Sequence, residues 1–233
     1  MPLPMYLAMT TAEIARCNQL PPKLSYMACH YSPYTQGLSN LPDTLPGGAM
    51  LIVNDSNPVC DHEPDLIVSQ LQQLCERLHI GSVLLDFQRP GEAKTAAVVS
   101  AIADALDCPV GVSACYADEE SCAVFLPPPP AYQSLQAHLA PWQGREVWVE
   151  IAPVCNRLCI TETACRITEQ LHCTVPLPHY DSCLHCHYGA EVGSDSITFT
   201  LNRDKSDLPE FLEEAYRLGV TQAIGLYQEL ADL

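Results

Sequence analysis

The stretch that decides the fold spans residues 81–115, GSVLLDFQRPGEAKTAAVVSAIADALDCPVGVSAC. Residues 82–87 form an apolar run that is interrupted only by Asp86, which predicts a buried strand with a charged residue at its end. Pro90 and Gly91 break this pattern, and an Ala-rich helical stretch at 92–106 precedes a second apolar run at 110–115. A buried strand, a helix and another buried strand together predict a βαβ unit with parallel strands.

The same alternation continues on both sides of this unit. Thr10 and Glu13 have the spacing of a capping box, which predicts a helix from there to about residue 20. Further strands are predicted at 6–9, 24–31, 49–54, 123–126, 146–152 and 221–227, and further helices at 66–78, 132–139 and 208–218. We therefore predict an α/β fold, specifically a (β/α)8 TIM-type barrel that is irregular or incomplete.

The later part of the chain departs from this alternation. Residues 155–195 show no pattern of a crossover helix, while residues 197–201 alternate in a way that predicts local antiparallel structure. The chain has 233 residues, of which 48% are hydrophobic, enough for one sizeable core. We expect a single barrel domain over residues 1–233, with an irregular or antiparallel insertion around residues 155–195.

Two strands carry a resemblance to a known family. The segment Gly81-Ser-Val-Leu-Leu-Asp-Phe-Gln-Arg-Pro90 resembles the fourth-strand signature of glycoside hydrolase family 18, Asp-Gly-x-Asp-x-Asp-x-Glu followed by an aromatic residue and Pro. This segment is also the fourth predicted strand, and residues 223–227, Ala-Ile-Gly-Leu-Tyr, resemble the family's final strand. The resemblance implies a chitinase-like barrel.

The match to the signature departs from the family at the catalytic position. The family's last Asp falls on Asp86, its middle Asp on Leu84 and its catalytic Glu on Gln88. In the family, this Glu protonates the glycosidic oxygen while the Asp beside it orients the substrate's 2-acetamido group. Because an amide has no proton to donate at a usable pKa, Gln88 can bind a sugar oxygen but cannot act as the general acid.

A ligand site is expected at the carboxyl ends of the strands, where such barrels carry their active sites. Besides Asp86 and Gln88, five residues are predicted there as ligand-binding residues: Tyr31, Asn54, Asp55, Tyr116 and Tyr227. Aromatic and amide groups of this kind suit a sugar, which needs stacking and several hydrogen bonds. The alternative for Asp86 is a carboxylate that caps a neighbouring loop or helix.

Glu150 is the alternative catalytic residue. In the strand at 146–152 it shares a face with Trp148, so it could replace the lost acid. The other interpretation is a Glu on the solvated face of an edge strand.

Composition and motifs exclude several other functions. The net charge of −17 comes from 28 acidic against 11 basic residues, which argues against nucleic acid as a partner. No signal peptide or membrane span is recognisable, so we expect a cytoplasmic protein with no membrane association. No phosphate loop, serine-hydrolase elbow or His-Glu-x-x-His helix is present, and we expect no cofactor.

The 13 cysteines are predicted to be mainly reduced. Cys183 and Cys186, with flanking histidines, have a metal-ligand spacing, but no second pair matches it. Buried thiols and surface histidines are therefore expected there, and no metal; a structural zinc site is the alternative.

Three functions follow from this sequence. The first is a chitinase-like homologue that is catalytically inactive and binds a carbohydrate or a related polar small molecule. The second is an active glycoside hydrolase that uses Asp86 with another carboxylate such as Glu150, Asp55 or Glu229. The third is a protein-interaction barrel whose acidic surface binds a basic partner.

Overall fold

The computed structural model describes residues 3–32, 37–55, 64–89, 93–118, 120–170, 173, 175 and 177–231, without the side chains of residues 31 and 32. Within these ranges, no helix is long and apolar enough to cross a membrane.

The described part of the chain forms fourteen strands and six α-helices. The strands are β1 (Met5–Met9), β2 (Leu24–Ser32), β3 (Gly37–Ser39), β4 (Met50–Asn54), β5 (Ser82–Asp86), β6 (Val110–Ser113), β7 (Ala123–Leu126), β8 (Val147–Glu150), β9 (Val154–Thr161), β10 (Cys165–Gln170), β11 (His179–Asp181), β12 (Cys186–Val192), β13 (Ser196–Arg203) and β14 (Gln222–Leu226). The helices are α1 (Thr11–Arg16), α2 (Pro64–Leu78), α3 (Ala93–Ala105), α4 (Leu135–Leu139), α5 (Leu208–Arg217) and α6 (Tyr227–Leu230).

Eight parallel strands close into a barrel, as predicted. The ring runs β1, β2, β4, β5, β6, β7, β8 and β14, and β1 pairs with both β2 and β14 to close it. Strand β3 lies outside the ring, antiparallel to β2. The fourth strand of the ring is β5, so Asp86 stands at the carboxyl end of the fourth barrel strand.

Alternate residues of the strands fill the barrel interior. Trp148 is fully buried there, against smaller apolar residues such as Leu84, Ala123 and Ile224. Gly111 on β6 makes room for it, because a Cβ at that position would overlap Cε3 of the Trp148 ring. The interior is thus a packed core, with a cavity at the carboxyl ends of the strands.

The irregularity of the barrel lies in its helices. Helices α2 and α3 cover the outside of the barrel with buried stripes that include Ile67 and Leu71 on the first and Val98 and Ile102 on the second. Among the described residues between β6 and β7 there is a 3-10 turn and no α-helix, and α4 after β7 is a single short helix. The capping box of Thr10 on α1 is confirmed, but α1 ends at residue 16 and not near residue 20, since the next residue is already extended.

A five-stranded antiparallel sheet is inserted between β8 and α5, which confirms the predicted antiparallel excursion. Its strand order is β10-β9-β13-β12-β11. The sheet extends to Arg203, beyond residue 195, because β13 pairs with β9 over its whole length and with β12 over most of it. That the whole chain forms one domain stays a prediction.

Buried polar contacts attach this insertion sheet to the barrel. The guanidinium of Arg203 is buried, donates to the carbonyl oxygens of Pro129 at 2.9 Å and Leu184 at 2.8 Å, and lies 4.5 Å from the Phe211 ring centroid. His185 is paired with Glu214 on α5. The sheet is therefore fixed both to the loop after β7 and to α5.

Candidate functional site at the barrel mouth

A small cavity of about 80 Å³ lies at the mouth of the barrel. Its polar lining comes from three strand ends, with Asn54 from β4, Asp86 from β5 and Glu150 from β8. The rest of the lining is mainly apolar and includes Met27 and Phe125. Three polar side chains predicted from the sequence thus meet in one cavity whose walls are largely hydrophobic, which is typical of a binding site.

Asp86 is held by two hydrogen bonds at the base of the mouth. Its Oδ1 accepts from Nε2 of Gln88 at 2.6 Å and from Oγ of Ser113 at 3.3 Å. Burial raises the pKa of Asp86 above its usual value, the two hydrogen bonds counteract this, and the nearby Asp55 carboxylate adds to the increase. Asp86 is therefore a partly desolvated carboxylate with a fixed orientation.

Gln88 is exposed beside Asp86, and Asp55 sets the path of its backbone. Asp55 is buried, and its two carboxylate oxygens accept the backbone N–H groups of Gln88 at 3.0 Å and Arg89 at 2.9 Å. Asp55 therefore holds the loop after β5 in place. Both of its carboxylate oxygens accept backbone N–H groups, and Asp55 is not among the described residues that line the cavity. Its predicted role in ligand binding stays a prediction.

Glu150 points into the mouth and does not lie on an edge strand. Strand β8 is paired on both sides, with β7 and with β14, so the interpretation of an exposed edge strand is wrong. Burial raises the pKa of Glu150 to about 7, with further contributions from the charges of Asp86 and Glu229. A carboxyl group with such a pKa is partly protonated at neutral pH and can donate a proton.

Two residues outside the motif act on the carboxylates of the site. Ser113 ends β6 and donates to Asp86, and its position as a polar residue at a strand end was the available signal. Glu229 lies on α6 directly after the last strand, and its Oε2 is buried without a hydrogen-bond partner among the described residues. Its charge acts on Glu150, so this region contains four carboxylates: Asp55, Asp86, Glu150 and Glu229.

The structure does not bring Tyr116 and Tyr227 to the cavity. Tyr116 is buried outside the ring of strands, donates its hydroxyl to the Arg89 carbonyl and packs edge-on against Phe87. Tyr227 packs beside Met9, and its hydroxyl lies 3.6 Å from Sγ of Cys17. Both aromatic rings were expected at the rim and instead pack into the outer layer. The side chain of Tyr31 lies outside the described residues.

The residues of the Cys183 motif each have a different neighbour. Cys186 is buried and donates to the Ala131 carbonyl at 3.4 Å, while His187 lies 3.5 Å from Asp207. His185 is engaged with Glu214, and Cys183 is exposed. In the described part of the chain, no group of three or more His, Cys, Asp or Glu side chains is arranged to hold a metal ion.

Comparison with known proteins identifies the fold. No protein-family model matches the chain, and no curated protein sequence matches it significantly. Among solved structures, the spore cortex-lytic enzyme SleL of Bacillus cereus aligns with a TM-score of 0.56 at 8% identity, over 96% of this chain and 70% of its own. A chitinase from Chromobacterium violaceum aligns with a TM-score of 0.56 at 10% identity, over 99% of this chain and 96% of its own.

A third similar structure contains a bound sugar. It is a doubly substituted variant of a glycoside hydrolase family 18 chitinase from Cycas revoluta, in complex with (GlcNAc)4. It aligns with a TM-score of 0.56 at 10% identity, over 95% of this chain and 94% of its own. At such identities the likeness shows the fold alone, so the chain has a barrel like that of the family 18 chitinases.

Proposed function

We propose that this chitinase-like barrel binds a carbohydrate at its mouth and does not cleave it. The observation that carries the proposal is the contact between Asp86 and Gln88 at the end of the fourth barrel strand. A carboxylate and an amide in contact can bind the hydroxyl and acetamido groups of a sugar, but the amide cannot protonate a leaving group.

The hydrogen bonds leave suitable groups for a ligand. Because Gln88 donates through Nε2 to Asp86, its own Oε1 can still accept a hydrogen bond from a sugar. The second oxygen of Asp86 can accept an amide N–H in the same way. Asp86 lines the cavity together with the apolar side chains of Phe125 and Met27.

The size of the cavity limits what enters it. A volume of about 80 Å³ is well below the roughly 300–1,000 Å³ of a typical ligand pocket. It can take one substituent, such as an acetamido group, with its methyl against the apolar wall and its amide near Asp86. The sugar ring would then lie above the cavity, beside the exposed Gln88.

A related observation supports binding without cleavage. The Cycas revoluta chitinase in complex with (GlcNAc)4 is a variant in which one of the two substitutions changes a Glu to Gln. Sugar binding to a barrel of this fold is thus compatible with such a substitution. By analogy, a natural Gln88 is compatible with affinity for an N-acetylglucosamine oligomer.

A second candidate function is hydrolysis with Glu150 as the proton donor. The observation that favours it is the pKa of Glu150, raised to about 7, in the same cavity as Asp86. Asp86 would orient the substrate and Glu150 would protonate the glycosidic oxygen. This function requires the scissile oxygen to lie toward β8, away from the Gln88 position at the end of β5.

Calorimetric titration of the full chain with chitotetraose tests the proposed binding. We expect a dissociation constant in the millimolar range or below, and a loss of about tenfold in affinity for Asp86→Ala because a charge-assisted hydrogen bond is removed. Asp104→Ala, an exposed acid on α3, is the matched control and should bind as the parent does. If all three proteins bind chitotetraose equally, or if none of them binds it, a sugar site at Asp86 is contradicted. The third function, a protein-interaction barrel whose acidic surface binds a basic partner, is then favoured.

A further inference from the structure

One face of the insertion sheet carries a cleft of about 360 Å³, away from the residues that line the barrel mouth. Its polar lining consists of two arginines, one cysteine and three threonines: Arg157, Arg166, Cys159, Thr161, Thr168 and Thr198. The residues come from β9, β10 and β13, which are neighbours in this sheet. The cleft is therefore built on paired strands and not on a loop.

The strand register places these side chains on one face. Arg166 lies opposite Cys159, and Thr168 lies opposite Arg157. Thr198 lies opposite Cys159 on its other side. Because directly opposed residues of antiparallel strands point to the same face, Arg157 and Arg166 are diagonal neighbours, roughly 7–8 Å apart at their Cα atoms.

The charge around the cleft contrasts with that of the chain. The protein has 28 acidic and 11 basic residues, yet no described acidic residue lines this cleft. Arg157 makes one exposed ion pair, with Nη2 at 3.5 Å from Oε2 of Glu191. Within the described ranges, Arg166 has no ion-pair partner. Two neighbouring guanidinium groups are thus balanced by a single carboxylate at the edge of the cleft.

This arrangement matches the requirements of an oxyanion. Like charges at neighbouring sheet positions repel each other, and an anion between them removes that repulsion. Each guanidinium presents a planar fork of N–H donors that fits two oxygens of a carboxylate, sulfate or phosphate. Thr198 supplies a further hydroxyl on the same face, whereas the hydroxyls of Thr161 and Thr168 donate to the backbone carbonyls of Ala164 and Arg157.

We propose that this cleft binds an oxyanion, with Arg157 and Arg166 as its charged contacts and the Thr198 hydroxyl as an additional donor. The ligand class is a sulfate, phosphate or carboxylate group, carried either by a free ion or by an acidic sugar. The site is independent of the sugar site around Asp86. It gives a strongly acidic protein one local surface that attracts anions.

Titration of the full chain with sodium sulfate and sodium phosphate, at ionic strength kept constant with sodium chloride, tests this site. We expect millimolar or tighter binding and an increase in melting temperature that chloride does not produce. Arg166→Gln should weaken binding about tenfold or more, since it removes a charged hydrogen-bond donor. Arg16→Gln, an exposed arginine at the end of α1, is the matched control and should bind as the parent does.

Two further arms identify the source of the anion and separate this site from the barrel mouth. If glucuronate binds more tightly than sulfate and glucose does not bind at the cleft, the anion is carried by a sugar. If sulfate or phosphate binds more tightly than glucuronate, the ligand is a free ion. Asp86→Ala should leave anion binding unchanged. Absence of binding at about 10 mM of every anion, or equal binding by Arg166→Gln and the parent, would overturn the proposal.

Discussion

Asp86 and Gln88, at the end of β5, are joined by one 2.6 Å hydrogen bond, and this contact distinguishes the site from that of a glycosidase with a carboxylic acid in the same place. The sequence motif predicted this pair because both residues belong to one strand end. It did not predict that Ser113 also bonds Asp86, since that contact joins two strands. A contact within one segment can be predicted from the spacing of residues in the sequence. A contact between two strands can be predicted only when their pairing register is known.

Gln88→Glu should introduce the missing proton donor. A positioned general acid contributes about 10²–10⁴-fold to a rate, so the variant should cleave a fluorogenic chitobioside measurably faster than the parent. Gln143→Glu is the control for the added charge, because Gln143 does not line the mouth. Cleavage by the parent that equals cleavage by Gln88→Glu would contradict the assigned role of Gln88.

Glu150 should make stability depend on pH. Its pKa in the folded chain is about 7 against an ordinary value of 4.5, so the unfolded chain loses this proton first as the pH rises. The folded state is therefore penalised increasingly from pH 4.5 to about 7 and fully above that, by on the order of 2 kcal/mol after allowance for solvent. Glu150→Gln removes this penalty.

Denaturant unfolding of the parent and Glu150→Gln at several pH values checks this expectation. The stability of the variant relative to the parent should increase between pH 4.5 and pH 7. Glu76→Gln, on helix α2, is the control: the difference between its unfolding free energy and that of the parent should change less with pH. A difference for Glu150→Gln that is the same at all pH values would show that Glu150 titrates normally.

At the scale of elements, strands were predicted more reliably than their surroundings. The apolar runs located all eight barrel strands, because buried parallel strands are hydrophobic on both faces. The edge-strand interpretation of Glu150 failed because a linear pattern does not show how the ring closes, and the pairing of β8 with β14 joins segments about 75 residues apart. Tyr116 and Tyr227 were misplaced for a related reason, since strand-end position alone does not say which way a ring turns.

Gly111→Ala should destabilise the barrel through the strand that it belongs to. The added Cβ would overlap the Trp148 ring, and overpacking of a core typically destabilises a protein by about 1–3 kcal/mol. Gly47→Ala is the matched control, because its Cβ would lie 3.9 Å from its nearest neighbour, an ordinary contact. Unfolding free energies of the two variants check this: equal values would mean that Trp148 does not fill the barrel as described.

At the scale of the whole molecule, a closed barrel positions a mouth whose chemistry can change without altering the fold. The ring of eight strands and its packed interior do not depend on Gln88, which is exposed. The insertion sheet is a second unit on the same barrel, held by Arg203 and His185. We propose that its cleft and the barrel mouth bind ligands of different chemistry, an oxyanion and a sugar.

A crystal structure of the parent protein grown with saturating chitotetraose tests the central claim most directly. The account predicts an intact tetrasaccharide at the barrel mouth, with one acetamido group in the cavity between Asp86 and Phe125 and a hydrogen bond to Asp86. Shortened products at the mouth would show that the protein cleaves its ligand. An open mouth without sugar, or sugar bound elsewhere on the chain, would contradict a carbohydrate site at Asp86.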